Sequence, residues 1–507
     1  MLSQARRSYK PTTPQLLADL KAVAFEAKET PPIQDEIQRL FPKTFRQSLA
    51  LGKKSQPQVF PALKIGAVFS GGQASGGHNV ITGLFDALQA LSPGSSLLGF
   101  LDGPSGIVSG KSIELSAERI NPYRNQGGFD LLGSGRTKIE TPEQLQSTLA
   151  TAQKLNLDGL VVIGGDDSNT NAAVIAEYFL QNGCQTKVVG VPKTIDGDLQ
   201  NAHVAISFGF DTATKIYAEL IGNIGRDALS AKKYYHFIKL MGRSASHIAL
   251  ECALKTHPNA VLISEERKTL AQITSTLCDL IIKRASHNKN YGLILIPEGI
   301  LEFMPEMGTL IQEINQLSPA SKAVWDSLPE RVQNQLLLDK DPHGNVNLSA
   351  VETELLIIES VTEELKKRNF AGKFSALPHF FGYEGRAGLP SNFDANYCYA
   401  LGQTAALLIA HGLTSYMAFV SNLTRPPSAW TVGGVPLASL LDLEERKGKL
   451  KPVIAKAYVD LKGPAYHKLS PDWALTDDYQ CPGPIQFFGD PALTDSVPAI
   501  LLNDKNL

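Results

Sequence analysis

From Leu63 onward, short unbroken apolar runs alternate with stretches whose apolar residues recur every three or four positions. LKIGAVFSGG is a strand-like run ending in glycine, NVITGLFDALQAL has helical spacing, and SLLGFLDG is a second strand-like run. The alternation continues through a helix at QLQSTLATAQKL, a strand at DGLVVIGGDD, a helix at AAVIAEYFLQN and a strand at KVVGVPKTIDGD. Short runs that are apolar throughout suit strands covered on both faces. Their alternation with helices predicts a parallel sheet between helical layers. A second unit of the same texture begins near Ala205, with YHFIKLMGR, NAVLISEE and YGLILIPEGI as its strands.

Three segments depart from this texture. Residues 1–60 are polar, with prolines at 11, 14, 31, 32, 42 and 57, and weak helical spacing over Thr13–Ala27 predicts a helical arm laid on the body. Residues 303–370 turn helical and charged and read as an insertion. Inside it, LLLDKDPHGNVNLS reads as two short strands around a turn, and Ser349 to Glu352 as a capping box opening the helix ETELLIIESVTEELKKRN. Residues 461–507 form a C-terminal extension with little pattern.

Composition narrows the class. The chain has 507 residues, 43% hydrophobic and 19% charged, enough for two or three packed domains and a large core without metal or disulfide staples. Its 48 basic and 50 acidic residues give a net charge of -2, so nothing draws it generally to nucleic acid or membrane, and any anion site must be local. The first residues lack an apolar leader and no run of about 18 apolar residues occurs, so a soluble, cytoplasmic chain is expected. Cys184, Cys252, Cys278, Cys398 and Cys481 are odd in number and form no CxxC. They are expected to be reduced, and mostly buried.

In parallel sheets, ligands collect at the carboxyl ends of the strands, and here each strand run ends in a polar or glycine-rich loop. The loop Ser70–Gly77 could let backbone N–H groups approach an anion at a helix N-terminus, or be a bare turn. Asp166 and Asp167 could hold Mg²⁺ beside substrate phosphates, or merely precede a helix capped by Ser168 or Asn169. Pro192 to Asp198 puts a lysine, a hydroxyl and two carboxylates together. Phosphoryl transfer needs such a set, a cation for phosphate charge and a carboxylate for the attacking hydroxyl's proton, although a solvated turn has the same composition. Arg136 after its glycines, Arg243 in Met241-Gly242-Arg243, Glu298, and the loop Tyr383-Glu384-Gly385-Arg386 add polar strand ends. Two decoys are set aside. The run Gly106 to Ser112 is one residue short of a P-loop, and Asp339 to Gly344 starts like a calcium loop but breaks at Pro342 and His343.

Taken in order, SGGQASGGHNVI, GSGR, GGDDSNTNA, PKTIDGDLQN, SFGFDTATKIYAE, KYYHFIKLMGRSASHIALECAL, IPEG and FGYEGRAGLPSNFDANYCYALG resemble the phosphofructokinase family. They are most similar to its long, pyrophosphate-dependent branch, which includes the plant catalytic beta subunit. The resemblance runs from about Phe60 to near Val459. It implies an α/β fold of two Rossmann-like three-layer lobes. Residues 61–205 would form the pyrophosphate and Mg²⁺ lobe, with the chain returning at about 390–460, and residues 206–389 the fructose 6-phosphate lobe. The implied reaction is reversible, Mg²⁺-dependent phosphoryl transfer from pyrophosphate to the 1-hydroxyl of D-fructose 6-phosphate, a step of glycolysis and gluconeogenesis. By the same resemblance, Asp196 is the proton acceptor and Thr194 and Ile195 bind sugar beside it. Asp166 takes the metal, Gly72 contacts pyrophosphate, and Arg136 bridges the two substrates. Met241, Gly242, Arg243, Glu298 and Tyr383 to Arg386 bind the sugar phosphate. Lys233 and Tyr234 are implied to reach a neighbour's sugar site in a homodimer. Asp167 stands where ATP-using relatives carry glycine and Lys193 where they usually do, and both so bear on the choice of donor. An ATP-dependent enzyme of the same fold and a non-catalytic regulatory subunit remain as alternatives. Asp102 stands where related chains often show glycine.

Overall fold

The computed structural model describes residues 3, 6–29, 33–339, 346–347, 350–446, 449–482 and 497–503. Strands β3 (Lys64–Phe69), β4 (Ser96–Phe100), β6 (Gly159–Gly164), β7 (Lys187–Pro192) and β12 (Tyr416–Ser421) run parallel in one sheet. Successive residues of β6 show why its sequence is apolar throughout. Leu160 and Val162 enter one core with Ala172, Ala173 and Phe179 of the helix Asp166–Gln181, whereas Val161 and Ile163 enter another with Ile81, Leu84 and Leu88 of the helix Gly77–Leu91. A strand presents alternate side chains to opposite faces, so helices on both faces demand an unbroken apolar run.

The sheet is completed by β5 (Ser112–Glu114) at one edge, and by β13 (Thr431–Pro436), β2 (Leu49–Lys54) and β1 (Val23–Lys28) at the other, in the order β1-β2-β13-β12-β7-β6-β3-β4-β5. Over Thr13–Ala27 the N-terminal arm is therefore not the helix its spacing predicts, and an α-helix falls instead at Asp35–Leu40. Within Thr13–Ala27 it forms two 3-10 turns, Gln15–Ala18 and Leu20–Ala22, and then enters β1, which pairs antiparallel with β2 from Val23↔Lys54 to Lys28↔Leu49. The free edge of β13 supplies the backbone partners that decide the outcome, because β2 pairs onto Gly433 and Gly434.

The second sheet is wholly parallel: β8 (Tyr235–Leu240), β9 (Ala260–Val261), β10 (Gly292–Pro297) and β11 (Ala376–Phe381), in the order β11-β8-β10-β9. It too divides its residues between faces, with Ile238, Leu240, Leu293 and Leu295 joining the core shared with the larger sheet. Tyr235, Phe237, Ile294 and Ile296 pack under the insertion. That insertion contains the helices Pro305–Gln312, Pro319–Ser327, Glu330–Leu338 and Thr353–Lys367. Leu336 to Leu338, expected in a strand, end the third of these helices. The expected turn at 340–345 and Ser349 of the expected capping box lie outside the described residues, and the helix Thr353–Lys367 starts from Glu352 without a side-chain cap. Lys239, buried in mid-strand, pins this helix through the Val351 carbonyl at 2.8 Å and Glu354 at 3.2 Å.

Candidate active site

Six parallel strands of the two sheets deliver their carboxyl ends to one cleft of about 440 Å³. β3 leads into Ser70 to Gln73, β6 into Gly165 to Asp167, and β7 into Lys193 to Asp196. From the smaller sheet, β8 leads to Met241 and Arg243, β10 to Glu298, and β11 to Tyr383 and Arg386. The loop carrying Arg136 lies alongside the first loop, where Gly71 N–H donates to the Gly135 carbonyl at 2.9 Å.

The first loop needs its glycines for two reasons. Gly71 and Gly76 adopt φ of 86° and 105°, which side chains disfavour. A Cβ on Gly71 would lie 3.3 Å from Lys193 Nζ, and one on Gly72 would lie 2.2 Å from Arg386 Nη2. The bare backbone thus makes room for two cations where an anion would sit. Arg386 is oriented by Gln73, whose Oε1 accepts from Nη2 at 3.0 Å.

Asp166 and Asp167 are the first two residues of their helix, where the backbone dipole favours negative charge. The capping alternative fails, because Gly165 is the cap residue. Ser168 instead donates to Ser70 Oγ at 2.7 Å, and Asn169 donates back to the Gly164 and Gly165 carbonyls. Each aspartate has a lysine beside it: Lys138 Nζ lies 3.1 Å from Asp167, and Lys456 Nζ lies 3.9 Å from Asp166.

Burial dominates the protonation of the next loop. It pulls the Lys193 ammonium down to about 8, with Arg386 adding to the effect and Asp196 and Asp166 opposing it. Burial pushes Asp196 above the ordinary carboxylate range, against the charges of Lys456, Arg243, Lys193 and Arg386. Asp198 rises to about 7 through burial and the neighbouring Asp196 and Asp166. Burial alone would lower Lys456, but Asp166 and Asp198 outweigh it and the net shift is upward. A carboxylate held above its usual range beside several cations is a group able to take a proton during reaction.

The cleft is lined by Asp166, Asp167, Lys193, Thr194, Ile195, Asp196, Arg136, Gly72, Met241, Arg243, Glu298, Tyr383 and Arg386. Gly242, Glu384 and Gly385 support it from behind. Gly242 N–H donates to Glu298 at 3.2 Å, Glu384 accepts from Gly382 N–H at 3.0 Å, and Gly385 packs against the Tyr217 ring. Lys233 and Tyr234 stand elsewhere. They precede β8, whose far end carries Met241, so at about 3.3 Å per residue they lie about 20 Å from this cleft. Both are exposed, and Tyr234 holds a φ of 68°.

Sequence reasoning missed Lys138, Asn347 and Lys456, which also line the cleft. Lys138 had a signal, being two residues beyond Arg136 on the same loop. Asn347 and Lys456 had none, since their neighbours in sequence carry no motif. The P-loop decoy is resolved as a helix end: Pro104–Ser109 is helical, Gly110 terminates it at φ 70°, and Lys111 pairs with Asp102 at 2.7 Å. All five cysteines are free, four buried and Cys481 exposed. Among the described residues no helix is long and apolar enough to cross a membrane.

Residues 64–409 match the phosphofructokinase family model. The chain is 50% identical to a protein of Treponema pallidum (strain Nichols) named pyrophosphate–fructose 6-phosphate 1-phosphotransferase, over 98% of this chain and 95% of that one. It is 53% identical to the Arabidopsis thaliana protein named as subunit beta 1 of the same activity, over 90% of this chain and 86% of that one. Among solved structures, a pyrophosphate-dependent phosphofructokinase from Nitrosospira multiformis superposes with a TM-score of 0.56 at 18% identity, covering 75% of this chain and 84% of that one. With the two sheets and their shared cleft, these matches show that the chain belongs to the phosphofructokinase family.

Proposed function

We propose that this protein transfers a phosphoryl group from pyrophosphate to the 1-hydroxyl of D-fructose 6-phosphate, reversibly, giving fructose 1,6-bisphosphate and phosphate. One observation carries the reading: Asp196 shares its cleft with Asp166, Asp167 and Lys193 on one side and with Arg243 and Arg386 on the other. The near relatives' names support the same reaction.

The chain does little covalent chemistry itself. Arg136 and Lys193 hold the donor's phosphoryl oxygens, and Arg243, Arg386, Glu298 and Tyr383 hold the sugar phosphate. The 1-hydroxyl is thereby set in line with the donor phosphorus. As its oxygen bonds to phosphorus, the hydroxyl proton passes to an Asp196 oxygen, the bridging P–O bond breaks, and inorganic phosphate leaves. Asp166 and Asp167 open their helix at the edge of the cleft, and Mg²⁺ takes one or two carboxylates and completes its shell with water and substrate phosphate. Asp166 is the carboxylate that would hold it, and bound Mg²⁺ supplies further neutralisation of phosphate charge.

Donor choice follows from Asp167. On the family resemblance its carboxylate would crowd and repel a nucleotide's α-phosphate, and opposed like charges in a cleft cost on the order of several kcal/mol. The shorter pyrophosphate avoids it, while Lys193 adds a positive charge that pyrophosphate uses. We assign Lys233 and Tyr234 to the sugar site of a second copy in a homodimer, since one chain cannot bring them to its own cleft. The setting is cytoplasmic, in keeping with five unpaired cysteines. Asp196→Ala is expected to lower turnover by at least about 10³-fold while pyrophosphate binding is largely kept. Near-normal turnover in that variant would remove Asp196 from the role.

A further inference from the structure

Residues 454–459 form a strap tied to both sides of the cleft through its own backbone. Ile454 N–H donates to Thr170 Oγ1 at 3.1 Å, on the helix that begins with Asp166. Ala457 N–H donates to the Asp198 carbonyl at 2.7 Å, and its carbonyl accepts from His247 Nε2 at 3.1 Å. Val459 N–H donates to Glu265 at 2.9 Å, a carboxylate that also accepts from Ser246 N–H. With the strap held this way, the Lys456 side chain is not needed to anchor it.

That side chain turns into the cleft. Its ammonium donates to Ser244 Oγ at 2.8 Å, next to Arg243 on the sugar side, and lies 3.9 Å from Asp166 on the donor side. It therefore spans the line along which a phosphoryl group would pass. An ammonium has three N–H donors, and among the described residues Ser244 is the acceptor of its one hydrogen bond, so donors remain for phosphate oxygens. Of the six cations among the described cleft residues, Lys456 alone lies beyond residues 64–409, the part that matches the family model.

We propose that Lys456 is a catalytic residue, delivered by the strap 454–459, whose ammonium contacts the phosphoryl group in transit between donor and sugar. The proposal rests on the phosphoryl-transfer reading above. It makes the C-terminal region, outside the shared family domain, part of the reaction centre.

The test compares the full-length wild type with Lys456→Gln and Lys456→Arg, measuring initial rates with pyrophosphate, fructose 6-phosphate and Mg²⁺ alongside thermal melting. Removing one preorganised donor to transition-state charge is expected to lower kcat by about 10²-fold in Lys456→Gln, and the KM for fructose 6-phosphate should stay within about threefold. The arginine variant should recover at least about tenfold over the glutamine variant, because it restores charge at similar reach. Melting should stay within about 4 °C of wild type, because the backbone contacts persist. A kcat in Lys456→Gln within about tenfold of wild type overturns the proposal. So does a fall in kcat that comes with a larger loss of melting temperature, which would make Lys456 a structural pin. If the wild type makes no fructose 1,6-bisphosphate from pyrophosphate, the underlying reading fails by itself, whatever the variants do.

Discussion

Lys193 concentrates the compromise that this cleft makes. Its ammonium is buried, lies against the backbone of Gly71, and is held down to about 8. A fall from the ordinary 10.5 to about 8 corresponds to about 3 kcal/mol against the charged form. The unfolded chain binds the proton more tightly than the folded one. Stability should therefore rise with pH between about 8 and 10.5, and the full cost is present below about 8. Lys193→Met is accordingly expected to melt higher than wild type at pH 7, by up to about 3 kcal/mol, while losing activity with pyrophosphate. Activity runs the other way. The kcat/KM for pyrophosphate should fall as pH rises through about 8, and Lys193→Arg should move that limb upward because a guanidinium keeps its proton. A destabilised Lys193→Met variant would count against burial as the cause of the shift. Asp102 shows a different local strain. It holds a φ of 59°, a conformation that favours glycine, and its carboxylate pairs with Lys111 on the exposed surface.

At the scale of elements, strands β3, β4, β6, β7, β8, β9 and β10 were legible because burial on both faces leaves a plain signature, a short apolar run ending in a polar or glycine-rich loop, whereas β5, β12 and β13 at or near the margins of the larger sheet were not named. The loops carrying Asp166, Asp196, Arg243 and Arg386 were legible as polar strand ends, and the resemblance supplied their roles. The N-terminal arm was not. Leu16, Leu17, Leu20 and Val23 fit a helical face, yet Val23 to Lys28 pairs with Leu49 to Lys54, and that antiparallel pair extends the sheet beside β13. A partner strand more than twenty residues away leaves no mark on local spacing. Strand β11 was also missed as an element, since Pro378 within it argues against a strand. It is tolerated because β11 is an edge, with β8 as its single neighbour. Lys456 was invisible for the same reason as the arm, because only the tertiary path of the strap brings it to Asp166.

For the molecule as a whole, one chain brings most of the expected site residues to a single cleft, but not Lys233 and Tyr234. If a second copy supplies them, an inactive Lys233→Ala chain mixed with an inactive Asp196→Ala chain should regain activity. Half the dimers would be mixed, each with one complete site, giving about a quarter of the wild-type rate. No recovery, with mixed dimers shown to form, would place Lys233 outside the partner's site. The central claim concerns the donor: on the proposal above, Asp167 and Lys193, which both line the cleft, favour two linked phosphates over a nucleotide. It is tested most directly by initial rates with fructose 6-phosphate and Mg²⁺, comparing pyrophosphate with ATP in the wild type and in Asp167→Gly/Lys193→Gly. The wild type should favour pyrophosphate in kcat/KM by at least about 10²-fold, and the double variant should gain use of ATP as it loses use of pyrophosphate. A wild type that turns over ATP as well as pyrophosphate, or a double variant that keeps its pyrophosphate activity and gains nothing with ATP, would contradict the account.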